Sequence, residues 1–247
     1  MEGEIGRGVV RLGIVPEARA ARLAVASRTD RGVSARGNAL ALSSNLPPVA
    51  LLRALNGISP EIRFTHLVPV PEGFRPRSAL ERWYRYWDRE ATEVAEAWRS
   101  GAGAFVGRVD VRSFGRGLSD QAPVWRTISA MEPRIDSGWL VLDIRAPSFV
   151  WGMIRKIVSA LRDLESGELP LARLQEAIRG ERRLTLPMAE PERLVLWETR
   201  YPIPWEVERS ALTGRQVRRF RESYALAASR REIVRALWAG GSRDRGP

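Results

Sequence analysis

The chain of 247 residues has no cysteine and one histidine. Without cysteine there is no disulfide framework, no thiolate zinc or iron–sulfur site, and no Cys nucleophile. The one histidine, His66, excludes multi-histidine metal sites and leaves a Ser–His–Asp triad possible only through itself. Long apolar runs are also missing, and none approaches the roughly 18 residues of a membrane span. The opening Met-Glu-Gly-Glu lacks the basic-then-apolar order of a secretory signal. A cytoplasmic location, no membrane and no cofactor or metal are therefore expected.

Arginine is what the chain has in excess. Lys and Arg together number 40 against 29 Asp and Glu, a formal net charge of +11. The only lysine is Lys156, so almost all of that charge is guanidinium. A guanidinium is a planar fork that suits phosphates and stacks on bases. Codon bias accounts for Arg in place of Lys but not for the excess of positive charge. A polyanionic partner, nucleic acid, is the expectation.

A chain this long buries a real core, in one large or two small domains. Gly138–Ala146 alternates as a strand, with Leu140, Leu142 and Ile144 on one face and Trp139, Val141 and Asp143 on the other. Leu194–Tyr201 reads similarly, with Trp197 and Tyr201 sharing a face. Shorter strands are expected over 23–26, 37–42 and 62–68. The pattern predicts helices over Pro48–Leu55, Arg89–Arg99, Ser148–Leu164 and Pro170–Arg179, with Asn56-Gly57, Gly101 and Gly180 as stop signals. Beyond Pro204 the tail reads as helical and basic. The mixture predicts an α+β fold. The Gly-rich segment 101–107 is the expected boundary. It separates an N-terminal α+β subdomain (1–100) from a second (101–204), followed by a basic extension (205–247).

With neither thiol nor metal, the remaining catalytic tools are carboxylates, Tyr, Ser/Thr, Arg and backbone groups. One segment concentrates them: Ser27-Arg28-Thr29-Asp30-Arg31-Gly32-Val33-Ser34-Ala35. A short apolar strand delivers Asp30 into a loop, and Gly32 permits a tight backbone there. Arg28 and Arg31 stand close enough in sequence to favour a charged carboxylate and to contact phosphate. Taken alone, such a turn is more often a solvated loop.

The surroundings change that weighing. Residues 27–35 (SRTDRGVSA) resemble the GRTDxGVHA segment of TruA-type tRNA pseudouridine synthases, archaeal-like members in particular. Residues 51–77 are similar to the family's LN-x-LP-x-DI stretch followed by F-x-x-R. Residues 78–86 (SALERWYRY) resemble its A-x-x-R-x-Y-x-Y strand, and 105–114 (FVGRVDVRSF) its F-x-G-x-H-D-F-x-x-F. Residues 146–161 (APSFVWGMIRKIVSAL) resemble A-x-x-F-L-x-x-M-V-R-x-I-V-G-x-L. Leu194-Val195-Leu196 with Tyr201 resembles the family's ending. Ser34 stands where the motif has His, and Arg193 where it has Gly. These motifs, in order, span roughly residues 2 to 201.

The resemblance implies two α+β subdomains with antiparallel sheets joined along a basic central cleft. It also implies a homodimer and a tRNA substrate modified in the anticodon stem-loop, at about positions 38–40. Asp30 matches the catalytic aspartate that attacks or assists cleavage at the uridine glycosidic bond. Arg28 matches the arginine implicated in extruding the target nucleotide. Tyr84 matches the tyrosine stacked on the flipped uracil, Arg155 the arginine paired with the aspartate, and Leu194 an apolar residue of the uracil pocket. No cofactor is implied.

Each residue also has a plainer reading. Tyr84 and Leu194 fit a core, Arg155 the polar side of a helix, and Asp30 the cap of a turn. Trp83, Trp87, Trp125, Trp139 and Trp197 read as core. His66 is given no role. The basic tail 215–231 reads as a solvated helical face. The alternative function is a non-catalytic tRNA- or RNA-binding protein derived from this fold. Family members open with a strand and a Gln-rich loop before a helix that residues 1–5 resemble. A start upstream of Met1 is therefore expected.

Overall fold

In a computed structural model the described residues are 2–17, 19–59, 61–119, 121–203 and 208–209, with isolated positions beyond. In chain order the elements begin with α1 (Glu2–Arg11), β1 (Ala24–Val25), β2 (Ser34–Ala35), β3 (Leu40–Ala41), α2 (Pro48–Leu55) and β4 (His66–Leu67). Then come β5 (Glu81–Glu90), α3 (Glu96–Phe105), β6 (Gly107–Asp110), β7 (Trp125–Ile128), β8 (Ala130–Asp136) and β9 (Trp139–Ala146). The last are α4 (Met153–Ser166), α5 (Leu171–Ile178), a single 3-10 turn Pro191–Arg193, β10 (Leu194–Arg200) and β11 (Glu208–Arg209). Strands, mostly antiparallel, mix with helices, as expected of an α+β chain. No helix among the described residues is long and apolar enough to cross a membrane.

The chain groups into two compact units. One comprises 1–21, 43–70 and 205–247, the other 22–42 and 71–204. In the first, α1 buries Ile5 and Val9, and its Gly8 lies against Ile58, where a Cβ would come within 2.4 Å of a methyl carbon. Helix α2 ends at Asn56, whose side chain both donates to the Phe64 carbonyl and accepts from the Phe64 amide at 2.9 Å. Strand β4 pairs antiparallel with β11. Of the tail expected to be helical, Glu208–Arg209 instead form this last strand, isolated positions such as Arg218 and Glu222 are helical, and the rest lies outside the described residues.

The second unit is built on a five-stranded sheet in the order β2-β10-β5-β9-β8, antiparallel except for β2 beside β10. Leu140, Leu142 and Ile144 of β9 and Tyr86 of β5 are fully buried with Phe105, Ile157 and Leu161 of α3 and α4. Burying such side chains contributes roughly 1.5–3 kcal/mol each. The opposite face of β9 is also buried. Val141 and Asp143 are covered, and Asp143 receives both prongs of Arg85 at 2.7 and 2.8 Å. Around Arg85 stand Trp83, Trp87 and Trp197. These tryptophans are half-buried, on the far side of the sheet from Tyr86, rather than core.

Five expectations are corrected. The helix expected over 89–99 starts only at Glu96, because Arg89 and Glu90 extend β5, and it runs through Gly101 to Phe105. Gly101 is not a stop: a Cβ there would lie 2.6 and 2.7 Å from methyls of Leu161 and Leu164, so glycine lets α3 pack closely on α4. The expected linker segment 101–107 is thus helical up to Phe105. The helix expected from Ser148 begins at Met153, after Gly152 at φ 74 turns the chain. Finally, a bulge at Trp197 in β10 shifts the alternation. Trp197 packs on Trp83 and Trp87, whereas Tyr201 packs on Phe74 and joins Ala26 and Ala79.

Candidate active site

The loop after β1 is held before it reaches Asp30. Asn38 donates to the Ser27 carbonyl at 2.9 Å, and the Ala26 amide donates to the Ala39 carbonyl at 2.8 Å. The buried Arg82 of β5 gathers four acceptors. Its Nε donates to the Ser27 hydroxyl at 3.0 Å, and its terminal nitrogens donate to the carbonyls of Ala26, Arg77 and Pro147. One guanidinium thus ties the loop to the segment before β5 and to the end of β9. Sequence reading gave Arg82 no role, although alternation put it on the face of Tyr84. The signal was there, since a charged residue on a buried strand face needs partners.

Past Ser27, the Asp30 carbonyl accepts from the Val33 amide at 3.0 Å, closing a turn with Gly32 at φ 92. A Cβ on Gly32 would lie 2.9 Å from a Glu192 carboxylate oxygen and 3.0 Å from Pro191. Glycine is needed there twice, for the positive φ and for the close approach.

The Asp30 carboxylate meets Arg155 of α4, whose Nη1 donates to Oδ2 at 2.8 Å. Both side chains are largely but not wholly buried, at 23% and 12% exposure. Arg155 Nε donates to the Ala189 carbonyl, and the Ala189 amide donates back to the Arg155 carbonyl at 3.1 Å. A helix polar face that reads as solvated therefore carries a largely buried ion pair.

Tyr84 is buried in β5, between Leu196 of β10 and Ile144 of β9. Its ring meets Phe149 edge-on at 5.2 Å, and its hydroxyl shares a hydrogen bond with Ser27. Burial pushes that hydroxyl's pKa up, against the Ser27 bond and the charge of Arg82, so it stays protonated. Leu194 is buried opposite Tyr86. Arg28 is exposed, two residues ahead of Asp30. Asp30 and Arg155 are thus in contact, and the charge of Asp30 reaches Tyr84. His66 lies exposed in β4. Among the described residues no three His, Cys, Asp or Glu side chains lie together as a metal site.

A second polar network runs beside this pair and was not legible in the sequence. Arg162, further along α4, donates to the buried Asp88 at 2.7 Å and to Glu190 at 2.9 Å. The Tyr86 hydroxyl donates to the same Glu190 oxygen at 2.8 Å. The backbone amide of Glu190, Arg162 and Tyr86 together hold the Glu190 carboxyl down at about 2.

Comparison with known proteins adds what geometry alone does not. The family model for tRNA pseudouridine synthase matches residues 102–202. The tRNA pseudouridine synthase A of Thermococcus sibiricus is 36% identical over 215 residues, covering 86% of this chain and 80% of that protein. That of Thermococcus kodakarensis is 35% identical over 204 residues, 82% and 76% of the two chains. That of Pyrococcus furiosus is 32% identical over 241 residues, 95% and 88%. On identity of this extent along most of its length, the chain belongs to the TruA family of tRNA pseudouridine synthases.

Proposed function

We propose that this protein is an isomerase converting uridine to pseudouridine in tRNA, with Asp30 as its catalytic carboxylate. The observation that carries the reading is the Asp30–Arg155 contact at 2.8 Å, in a partly exposed pair beside Tyr84. The reaction breaks the N1–C1′ bond, rotates the free uracil, joins C5 to C1′ and releases the C5 proton to solvent. Asp30 attacks or assists at the glycosidic bond, and Arg155 holds its carboxylate in place. Arg28 acts in extruding the target nucleotide, Tyr84 stacks on the uracil, and Leu194 lines its pocket. Unstacking a base costs a few kcal/mol, offset by phosphate and stacking contacts. The net charge of +11 supplies the phosphate contacts. The site of action in this reading is the anticodon stem-loop, at about positions 38–40, in the cytoplasm and as a homodimer.

The test is tRNA carrying tritium at uracil C5. Wild type releases tritium, and Asp30→Asn binds the tRNA without release. Equal release from both removes Asp30 from the chemistry. Binding with no release by wild type favours a non-catalytic RNA-binding protein instead. Mapping the modified uridines tests the stem-loop, and light scattering tests the dimer.

A further inference from the structure

We propose that Glu190 is a positioning residue that fixes the geometry of the Asp30–Arg155 pair, an inference that rests on the reading of that pair given above. Arg155 has two anchors, Asp30 through Nη1 and the Ala189 carbonyl through Nε. The second anchor sets which way the planar fork points. That carbonyl belongs to the peptide bond joining Ala189 to Glu190, so whatever holds Glu190 holds the anchor.

Glu190 is held from two sides. The Tyr86 hydroxyl donates to its Oε2 at 2.8 Å, and Arg162 donates to the same oxygen at 2.9 Å. Both donors are rooted in the interior. Tyr86 is fully buried in β5, and Arg162 is locked by Asp88, itself 2% exposed. Arg155 and Arg162 lie about two turns apart on one face of α4. Tyr84 and Tyr86 lie on one face of β5. Each rung of one network thus has a neighbour in the other.

The same stretch of chain reaches the other partner. Directly after Glu190, Pro191 and Glu192 close over Gly32, two residues beyond Asp30. Ala189 holds the arginine, and Pro191 and Glu192 bound the aspartate's loop. Glu190 sits between them as the tethered point. Its side chain is 54% exposed, so core packing does not demand a carboxylate there. Its two fixed donors do.

The test uses the full chain with Glu190→Ala, Glu190→Gln and, as a control, Asp30→Asn. Single-turnover tritium release at saturating protein is read beside tRNA affinity. Glu190→Ala is expected to slow the step about tenfold, with tRNA affinity within about twofold of wild type. Glu190→Gln keeps an oxygen for Tyr86 and is expected to recover to within about threefold of wild type. Hydrogen exchange at the Ala189 amide should quicken in the alanine variant and not in the glutamine one. A wild-type rate in Glu190→Ala overturns the proposal, as does equal loss in both variants with weakened tRNA binding. If Glu190→Ala does not fold, Tyr86→Phe removes one donor without a cavity. A drop of about threefold there supports the proposal, and a wild-type rate overturns it. An inert Asp30→Asn beside a fully active Glu190→Ala sinks this inference alone, whereas a fully active Asp30→Asn sinks the reading beneath it.

Discussion

Asp30 and Arg155 are 125 positions apart in the chain and 2.8 Å apart in space. One comes from a loop held by Arg82, the other from a helix whose partner strip is Ala189. The pair exists only because two separately anchored segments converge.

Arg155 uses its fork at both ends, so a lysine there has one point charge for two acceptors in different directions. Arg155→Lys should therefore lose turnover by about 100-fold, close to Arg155→Ala, while tRNA affinity changes little. A lysine variant within about threefold of wild type would mean that charge alone suffices.

Gly32→Ala puts a methyl into a left-handed backbone and against Pro191 and Glu192. The expected loss is about 1–2 kcal/mol of stability from conformation alone. Displacement of Asp30, two residues back in the same turn, should lower turnover as well. Thermal unfolding and single-turnover release, measured on one preparation, check both.

Arg82→Gln leaves several acceptors around the loop short of donors. Each unsatisfied buried group costs about 1–3 kcal/mol, so a loss of about 3 kcal/mol or more is expected in denaturant melts. Arg82→Lys should recover only part of it, since an ammonium has three donors and a different reach.

Asp143 gives stability a pH dependence. Burial pushes its carboxyl up, but hydrogen bonds from Arg85, Trp83 and Arg134 outweigh that and hold it below the ordinary 3.8. A folded pKa below the unfolded one means stability that is fully present above that ordinary value and lost as pH falls through the folded value. Asp143→Asn should cost about 3 kcal/mol at neutral pH, because it takes the nearer carboxylate from the buried Arg85 and leaves it only Asp136 at 3.7 Å. The gap between wild type and variant should narrow on acidification below about pH 4. A gap that stays constant with pH would contradict this account.

Some of the fold was legible from local pattern. Helix α2 has the predicted bounds, Pro48–Leu55, because its apolar spacing and the Asn56-Gly57 stop are local features. Strand β9 follows the alternation read from its residues. Gly101 misled because a glycine reads as a stop until Leu161 and Leu164 are seen to occupy the space beside it. Trp197 and Tyr201 parted faces because the bulge belongs to the pairing of β10 with β5, not to either strand alone.

The sequence by itself determined the toolkit: no thiol, an arginine excess, an Asp-Arg-Gly turn and ordered motifs that resemble one family. Those are properties of composition and short-range order. Tertiary structure turned the Arg155–Asp30 pairing that the resemblance implies into a 2.8 Å contact, and it alone decided that Arg82 binds the loop and that Tyr86 and Arg162 meet at Glu190. Each of those contacts joins residues far apart in the chain, several through backbone carbonyls that carry no residue identity. The partner of a buried charge is set by how the elements pack, and side-chain spacing along one element does not encode it.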